Sequence, residues 1–345
     1  MARPSAVVGW DIGGVNTKGV RLTPAGLGPT LRSASRPCEV QRQPEALTSA
    51  LGEVARDLCA TPTDVHAVTM TAELSQAFRT KREGVGFVLD ALAAALPGAA
   101  FHVYTVAGRF VRPEEARMQP LAVGAANWAA TASLVARSYP TCVLIDIGTT
   151  TADLIPIVDG KVVAEGSTDP DRLLSGELVY TGALRTPVEA VAPRVPLWGQ
   201  SAAISADGFA VMGDVHLWRG HLRAEDYTCP TPDSRPATRE FSGERLARTV
   251  CADREMLNSS DLDIIAAALA NAQLRTVVES LGRIRQRWPG ISAAVVAGLG
   301  DFIAVEAACR AGLSVVPLAE RLGAAARVAP AAAVGWLLWE SMEWE

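Results

Sequence analysis

The stretch Val7-Val8-Gly9-Trp10-Asp11-Ile12-Gly13-Gly14-Val15-Asn16-Thr17-Lys18 is answered in mid-chain by Val143-Leu144-Ile145-Asp146-Ile147-Gly148-Thr149-Thr150-Thr151-Ala152-Asp153. Each copy is an apolar run that ends in Asp-Ile-Gly, passes through small or hydroxyl residues and enters a second β-rich run, Gly19-Val20-Arg21-Leu22 or Leu154-Ile155-Pro156-Ile157. That order predicts strand, tight turn, strand. A single Asp-x-Gly hairpin is ordinarily only a turn. Here Asp11/Asp146, Gly13/Gly148, Asn16/Thr151 and Lys18/Asp153 fall at matching positions, and the duplication predicts two halves that face one anion.

The residue types suit that ligand. Gly13 and Gly148 can adopt positive φ and carry no side chain, so backbone N–H groups in the turn can converge on phosphate oxygens. Asp11 and Asp146 would repel a bare phosphate and imply an intervening cation. Mg²⁺ fits, because it binds through one or two carboxylates, several waters and substrate phosphates. Asn16, Thr17, Thr149, Thr150 and Thr151 add neutral donors, and Lys18 adds positive charge. Asp153 is a candidate to hold metal-bound water or orient a nucleophile.

Outward from the first hairpin, residues 23–43 read as further strand with loops. A helix follows from Pro44 to Cys59, with Leu47, Leu51, Val54, Ala55 and Leu58 on one face. Val65–Met70 reads as a buried strand, Val85–Leu96 as a helix stopped by Pro97-Gly98, and Phe101–Val106 as a strand. Ala122–Tyr139, rich in small residues, reads as one long helix connecting two lobes. Alternating strands and helices predict an α/β protein with mixed sheets. After the second hairpin, Lys161–Ser167 is expected to continue the sheet beyond the Asp159-Gly160 turn. Residues 169–258, with Pro187, Pro193, Pro196, Pro230, Pro232 and Pro236 among many Arg and Gly and with weak periodicity, read as a loop-rich insertion. Helix returns over Asp261–Arg287, and Ala293–Asp301 reads as strand, glycine turn and helix start. A last helix over Ala331–Trp339 offers Trp336 and Trp339 for docking. The expected domains are a first lobe over 1–125, a connecting helix over 126–140, a second lobe over 141–329 and a C-terminal helix over 330–345.

With 345 residues, 49% hydrophobic and 20% charged, the chain can fill two cores. A net charge of −5 gives no drive toward nucleic acid or anionic lipid. The apolar stretch before Asp11 is short, and Arg327 and Pro330 interrupt the Ala-rich tail, so neither signal peptide nor membrane span is expected and the protein is read as cytoplasmic. The six cysteines form no Cys-x-x-Cys pair and read as free thiols, mostly packing residues. His216 and His221 lack nearby cysteines, which argues against zinc. His216, Trp218 and Arg219 are weaker site candidates. The sequence leaves the oligomeric state open, a homodimer included.

The two Asp-Ile-Gly hairpins and the later Ala297-Gly298-Leu299-Gly300 turn resemble the two phosphate loops and the nucleoside loop of the acetate kinase, sugar kinase, heat-shock chaperone and actin superfamily. The resemblance covers nearly the whole chain. It implies two actin-like, ribonuclease H-like lobes around a central cleft, with Gly298 and Gly300 at the nucleoside position. Asp11-Ile-Gly-Gly-Val-Asn-Thr-Lys18, Thr71-Ala-Glu-Leu-Ser75 with Phe78, Lys81-Arg-Glu-Gly-Val85, Asn127-Trp128 and Asp146-Ile-Gly-Thr-Thr-Thr-Ala-Asp153 look most like the hydantoinase/oxoprolinase relatives. Within these, they resemble the short branch of tetrahydromethanopterin-linked one-carbon transfer proteins.

Archaeal members of that branch are the condensing enzymes of methanofuran biosynthesis. The resemblance implies a transferase that joins an aminomethyl-furanmethyl diphosphate to the phenol of a glutamyl-tyramine and releases diphosphate without ATP hydrolysis. By analogy a chain this rich in Ala and Arg would serve the related bacterial carrier, with a tyrosine-derived acceptor. The implied partners are the diphosphate donor and the phenolic acceptor. Such a leaving group asks for Mg²⁺, backbone donors and cations around diphosphate oxygens. Asp11 and Asp146 are then the metal ligands. Gly13, Gly14, Asn16, Gly148, Thr149 and Thr150 bind the diphosphate, with Lys18 supplying charge. Glu73, just past a strand end, is the leading base for the phenol. Arg79, Lys81 and Arg82 read either as a solvated face or as an anion site, and Trp128 reads as core. The alternative is an ATP-dependent kinase or hydantoinase-like enzyme with nucleotide at Gly298 to Asp301. A nucleotide sensor without turnover is the third class. A bulky residue at Gly298 or Gly300 is expected to abolish activity only where a nucleoside is required.

Overall fold

The computed structural model describes residues 5–26 and 28–342. The last residues of the expected C-terminal segment, 343–345, lie outside them. Contacts divide the chain into two compact units, one of Met1–Cys142, Ile155–Asp171 and Pro317–Glu345, the other of Val143–Leu154 and Arg172–Val316.

In the first unit the opening hairpin is β1 (Val7–Ile12) and β2 (Asn16–Ala25), extended by β3 (Gly28–Pro37). Every residue of β1 is buried, as the apolar run Val7–Trp10 with Ile12 dictates for a central strand, and this burial includes Asp11. Helix α1 (Ala46–Asp57) leads into β4 (Val65–Met70), α2 (Lys81–Ala95), β5 (Ala100–Tyr104) and β6 (Phe110–Val111). The sheet order is β3-β2-β1-β4-β5-β6, with β1 antiparallel to β2 and parallel to β4. The core beneath it joins Trp10, Ile12, Leu47, Leu51, Val54, Val68, Met70, Val88 and Leu92.

Two expectations change here. Helix α2 begins at Lys81, four residues early, because the Thr80 hydroxyl caps it by accepting from Glu83 N–H. The long connecting helix is two pieces and a break. After α3 (Pro113–Met118), α4 covers only Pro120–Val123, Gly124 is extended, Ala125 has φ of 53° and α5 covers only Asn127–Ala136. The break arises because Gly124 bridges to Met70 and Ala125 N–H donates to Met70 C=O at 3.0 Å, extending the ladder past β4.

The second hairpin is β7 (Cys142–Ile147) and β8 (Ala152–Val158), followed by β9, which covers only Lys161–Val162 rather than reaching Ser167. The expected loop-rich insertion holds α6 (Asp169–Ser175), β10 (Leu178–Val179), α7 (Val188–Val191), β11 (Arg194–Leu197), β12 (Gln200–Ala203), α8 (Met212–Trp218) and α9 (Arg239–Arg248). Its elements are too short for periodicity to register, yet Val188, Val195, Met212, Val215, Trp218 and Leu246 share a buried core with Leu262, Ile265 and Leu269 of α10 (Ser259–Arg287). The chain ends through β13 (Ala293–Ala297), α11 (Asp301–Arg310), β14 (Ser314–Pro317), α12 (Ala319–Leu322) and α13 (Ala329–Glu340). The second sheet runs β10-β8-β7-β13-β14, with β7 parallel to β13. Each Asp-Ile-Gly strand thus lies between its hairpin partner and a parallel strand from later in the chain.

Among the described residues one helical stretch, Ala319–Glu340, is apolar and long enough to cross a membrane, but 72% of its apolar window is buried inside the protein. Helix α13 packs against β1, β2, β4 and α5, so this is a core helix. The cysteines are free, but only Cys38 and Cys142 are buried, while Cys59, Cys251 and Cys309 are exposed rather than packing residues.

Candidate active site

The two turns close in the same way: Gly13 N–H donates to Asn16 C=O at 3.0 Å and Gly148 N–H to Thr151 C=O at 2.9 Å. Gly13 and Gly148 do not have positive φ, contrary to expectation. Gly13 is needed for closeness, since a Cβ there would stand 2.9 Å from Asn16 O. The carbonyls of the second turn are tied back by the segment after β10. Gly148 O accepts from Ala183 N–H at 2.9 Å, and Thr149 O from Leu184 and Arg185 N–H at 3.1 and 2.9 Å. In a trans peptide the N–H points opposite to the C=O, so Thr149 and Thr150 N–H turn away from that segment together. Two such amides lie beside the Thr149 and Thr150 hydroxyls, 3.4 Å apart, a set of donors that could hold an anion. In the first turn Gly14 O and Val15 O accept from Val40 and Cys38 N–H at 3.0 and 2.7 Å, which turns the amides of Val15 and Asn16 outward in the same way.

Asp11 stands opposite Lys18 across β1 and β2, and Lys18 Nζ is 3.1 Å from Asp11 Oδ2. Asp11 Oδ1 is buried with no hydrogen-bond partner. Strand alternation puts Asn16 on the Lys18 face and Thr17 on the other. Thr17 is fully buried, so it is not the phosphate donor expected of it. Among the described residues no three His, Cys, Asp or Glu side chains cluster to hold a metal. An oxygen-only donor set with an unpartnered carboxylate oxygen fits Mg²⁺ completed by water and substrate phosphates, not a protein-only cage.

Beside the first turn lies a second group of residues in the same unit. Thr71 N–H donates to Ile12 C=O at 2.9 Å, and Thr71 Oγ1 is 3.6 Å from where a Gly13 Cβ would be. A single 3₁₀ turn, Ala72–Leu74, then carries Glu73. Glu73 is 1% exposed rather than lying in a polar turn, and neither carboxylate oxygen has a hydrogen-bond partner. Lys81 Nζ lies 3.6 Å from Oε1 and 3.1 Å from Asp169 Oδ2. Burial pushes the Glu73 carboxyl up to about 7, with Lys81 opposing the shift. Gly124 abuts this carboxylate, since a Cβ there would stand 3.0 Å from Glu73 Oε1. The sequence reads Lys81 as part of a solvated face or an anion site, not as the partner of Glu73. Asp169 and Gly124 carried no signal, because only the break before α5 and the start of α6 bring them here.

Three other expectations change. Asp153 is engaged by Arg172 in a buried ion pair, and Arg172 also donates to Glu177 C=O at 3.3 Å, so Asp153 serves the fold of its unit rather than metal-bound water. Gly298 and Gly300 hug the second turn. A Cβ on Gly298 would lie 2.5 Å from Asp146 Oδ1, and one on Gly300 2.5 Å from Ile147 Cγ2. Bulk at either position damages the second loop whether or not a nucleoside binds, so that substitution does not discriminate the two chemistries. His216 is a core residue: Gln273 donates to Thr181 Oγ1 and Gly182 C=O at 2.9 and 2.8 Å, so its Oε1 accepts from His216 Nε2–H at 2.8 Å. Burial lowers His216 to about 3, leaving it neutral. This chain of bonds holds Gly182, where a Cβ would stand 2.5 Å from Thr150 N. Gly182 is thus part of the second loop's backing, a residue that the sequence does not single out. Arg79 is exposed, and Arg82 donates to Arg117 C=O at 3.0 Å.

Comparison with known proteins agrees with this architecture. Over 245 residues the chain is 40% identical to the (4-{4-[2-(γ-L-glutamylamino)ethyl]phenoxymethyl}furan-2-yl)methanamine synthase of Methanocaldococcus jannaschii, covering 71% of this chain and 73% of that one. The synthase of the same name from Methanococcus vannielii is 33% identical over 166 residues, covering 48% and 74%. Nucleotide-free acetone carboxylase superposes with a TM-score of 0.57 at 12% identity, over 97% of this chain and 70% of that one, a likeness of fold that agrees with the actin-like α/β class. The hydantoinase/oxoprolinase family model matches residues 64–340, and the chain therefore belongs to the hydantoinase/oxoprolinase family.

Proposed function

We propose that this protein is a transferase that joins an aminomethyl-furanmethyl diphosphate to the phenol oxygen of a tyramine- or tyrosine-derived, glutamylated acceptor, releasing diphosphate. The two relatives named for the ether product of such a coupling support the substrate class. The observation that carries the reading is Glu73, a buried carboxyl beside the first turn whose oxygens have no hydrogen-bond partner and whose neighbouring cation is Lys81 at 3.6 Å.

The C–O bond to diphosphate breaks toward a furan-stabilised cation, and the phenol oxygen forms the new C–O bond as its proton leaves. The phenol needs a base whose proton affinity lies near neutrality, which burial supplies at Glu73. The outward amides of Val15, Asn16, Thr149 and Thr150 suit diphosphate oxygens, with Lys18 as a fixed cation. Asp11 and Asp146 would hold Mg²⁺, which neutralises charge building on the leaving group.

Incubation with Mg²⁺, the furanmethyl diphosphate and glutamyl-tyramine, with ATP omitted, tests this by diphosphate release and mass spectrometry of the ether. Ether formation without ATP is the expected result. No ether, with ATP turned over instead, overturns it.

A further inference from the structure

Both oxygens of Glu73 are enclosed, with the Gly124 and Pro120 backbone packed against one side: a Cβ on Gly124 would stand 3.0 Å from Glu73 Oε1 and 3.1 Å from Pro120 O. A substrate hydroxyl therefore meets Glu73 through whatever polar group links it to the surface. That group is Lys81, whose side chain is 21% exposed and whose ammonium bridges Glu73 and Asp169. Its position breaks a local rule. Lys81 is the first residue of α2, where the helix dipole disfavours a cation, and two carboxylates from outside the helix offset that cost. Local rules broken with tertiary compensation are expected at functional positions.

We infer that Lys81 receives the acceptor and relays its proton to Glu73, an inference that rests on the proposed coupling. The phenol docks its oxygen on Lys81 Nζ. One N–H bond of Lys81 breaks first and its proton goes to Glu73 Oε1, and the nitrogen lone pair this exposes then takes the phenol proton, forming a new N–H bond as the phenol O–H bond breaks. This leaves a phenolate beside a re-formed ammonium, ready to attack the furanmethyl carbon. The proton returns to water by the same route once the ether leaves. The 3.6 Å between Nζ and Oε1 exceeds a hydrogen bond by roughly half an ångström, within reach of a small rotation of the lysine. Asp169 is a positioning residue that holds Nζ in place. The charged groups facing Glu73 are Lys81 from α2 and Asp169 from the start of α6.

The test compares wild type with Lys81→Ala, Lys81→Arg and Asp169→Asn, using tyramine acceptors whose ring fluorination makes the phenol progressively more acidic. Lys81→Ala is expected to lose on the order of 100-fold or more in kcat with the ordinary phenol, the size of a lost proton-transfer group. It should recover most of this with the most acidic phenol, and respond to added alkylamines. Asp169→Asn should lower kcat less and steepen the dependence on phenol acidity. Independently of turnover, ¹³C NMR titration of Glu73 should move upward in Lys81→Ala. Equal loss with every phenol and no amine rescue, or full activity in Lys81→Ala, overturns the relay while the coupling stands. A wild type inert toward every phenol overturns the coupling and the relay together.

Discussion

Lys18 and Asp11 face each other across the first hairpin, with Nζ 3.1 Å from Oδ2, while Oδ1 of the same carboxylate is buried without a hydrogen-bond partner. One oxygen is held by a cation of the protein, and in the proposed reaction the other would take the metal. Asp11→Asn is expected to lower kcat on the order of 100-fold or more, as loss of a major electrostatic group does. Lys18→Met should also slow the reaction, but with half-saturation at a lower Mg²⁺ concentration, because the competing ammonium is gone. A titration of initial rate against Mg²⁺ checks both. An unchanged Mg²⁺ requirement in Lys18→Met would remove Asp11 from the metal site.

Glu73 ties stability to pH. Its carboxyl titrates at about 7 when folded, against 4.5 ordinarily, because burial disfavours the charge. Between these values the folded state holds the extra proton, so this group's contribution to stability falls as pH rises from about 4.5 through 7. Glu73→Gln should match wild type near pH 5 and be more stable at pH 8, by at most roughly 3 kcal/mol. Urea unfolding at the two pH values measures the difference. Activity moves oppositely, rising through about pH 7 as Glu73 ionises, and the glutamine variant should lose that limb.

Asp153 and Arg172 make a buried ion pair. Asp153→Asn leaves the guanidinium buried without its charge partner and is expected to destabilise the protein by about 3–5 kcal/mol, whereas Asp153→Leu with Arg172→Met together should recover much of this. Thermal melts of the single and double variants decide the matter. A fully stable Asp153→Asn with depressed kcat would return this aspartate to the chemistry.

Gly298→Ala puts a methyl group 2.3 Å from Ile147 O at a φ of 91°. The expected cost is about 1–3 kcal/mol, with loss of activity even in ATP-free coupling. Melting temperature and diphosphate release are the readouts. An unaltered melt with only ATP binding lost would favour a nucleoside loop.

The duplicated hairpins, the strand over Val65–Met70 and the helix over Asp261–Arg287 were legible because long runs with one period leave little choice. Glu73 was legible as a carboxylate past a strand end, though not as a buried one. Residues 169–258 were misread as loop because seven- to ten-residue helices and four-residue strands carry too few repeats to show a face. The break at Gly124-Ala125 was hidden because a run of small residues reads as helix until a neighbouring strand end claims its backbone bonds.

By itself the sequence determined the two turns and the face of Asp11, Asn16 and Lys18, because strand pairing is local and alternation has a period of two. Only the tertiary structure decided what those groups meet. A Cβ on Gly9 would strike Ala331 O at 2.0 Å, so the C-terminal helix lies directly on β1. Gly124 packs on Glu73, and Asp169 pairs with the Lys81 that faces it, each from a distant stretch of chain. Such meetings depend on how buried surfaces pack, and one chain position carries no record of a neighbour dozens of residues away.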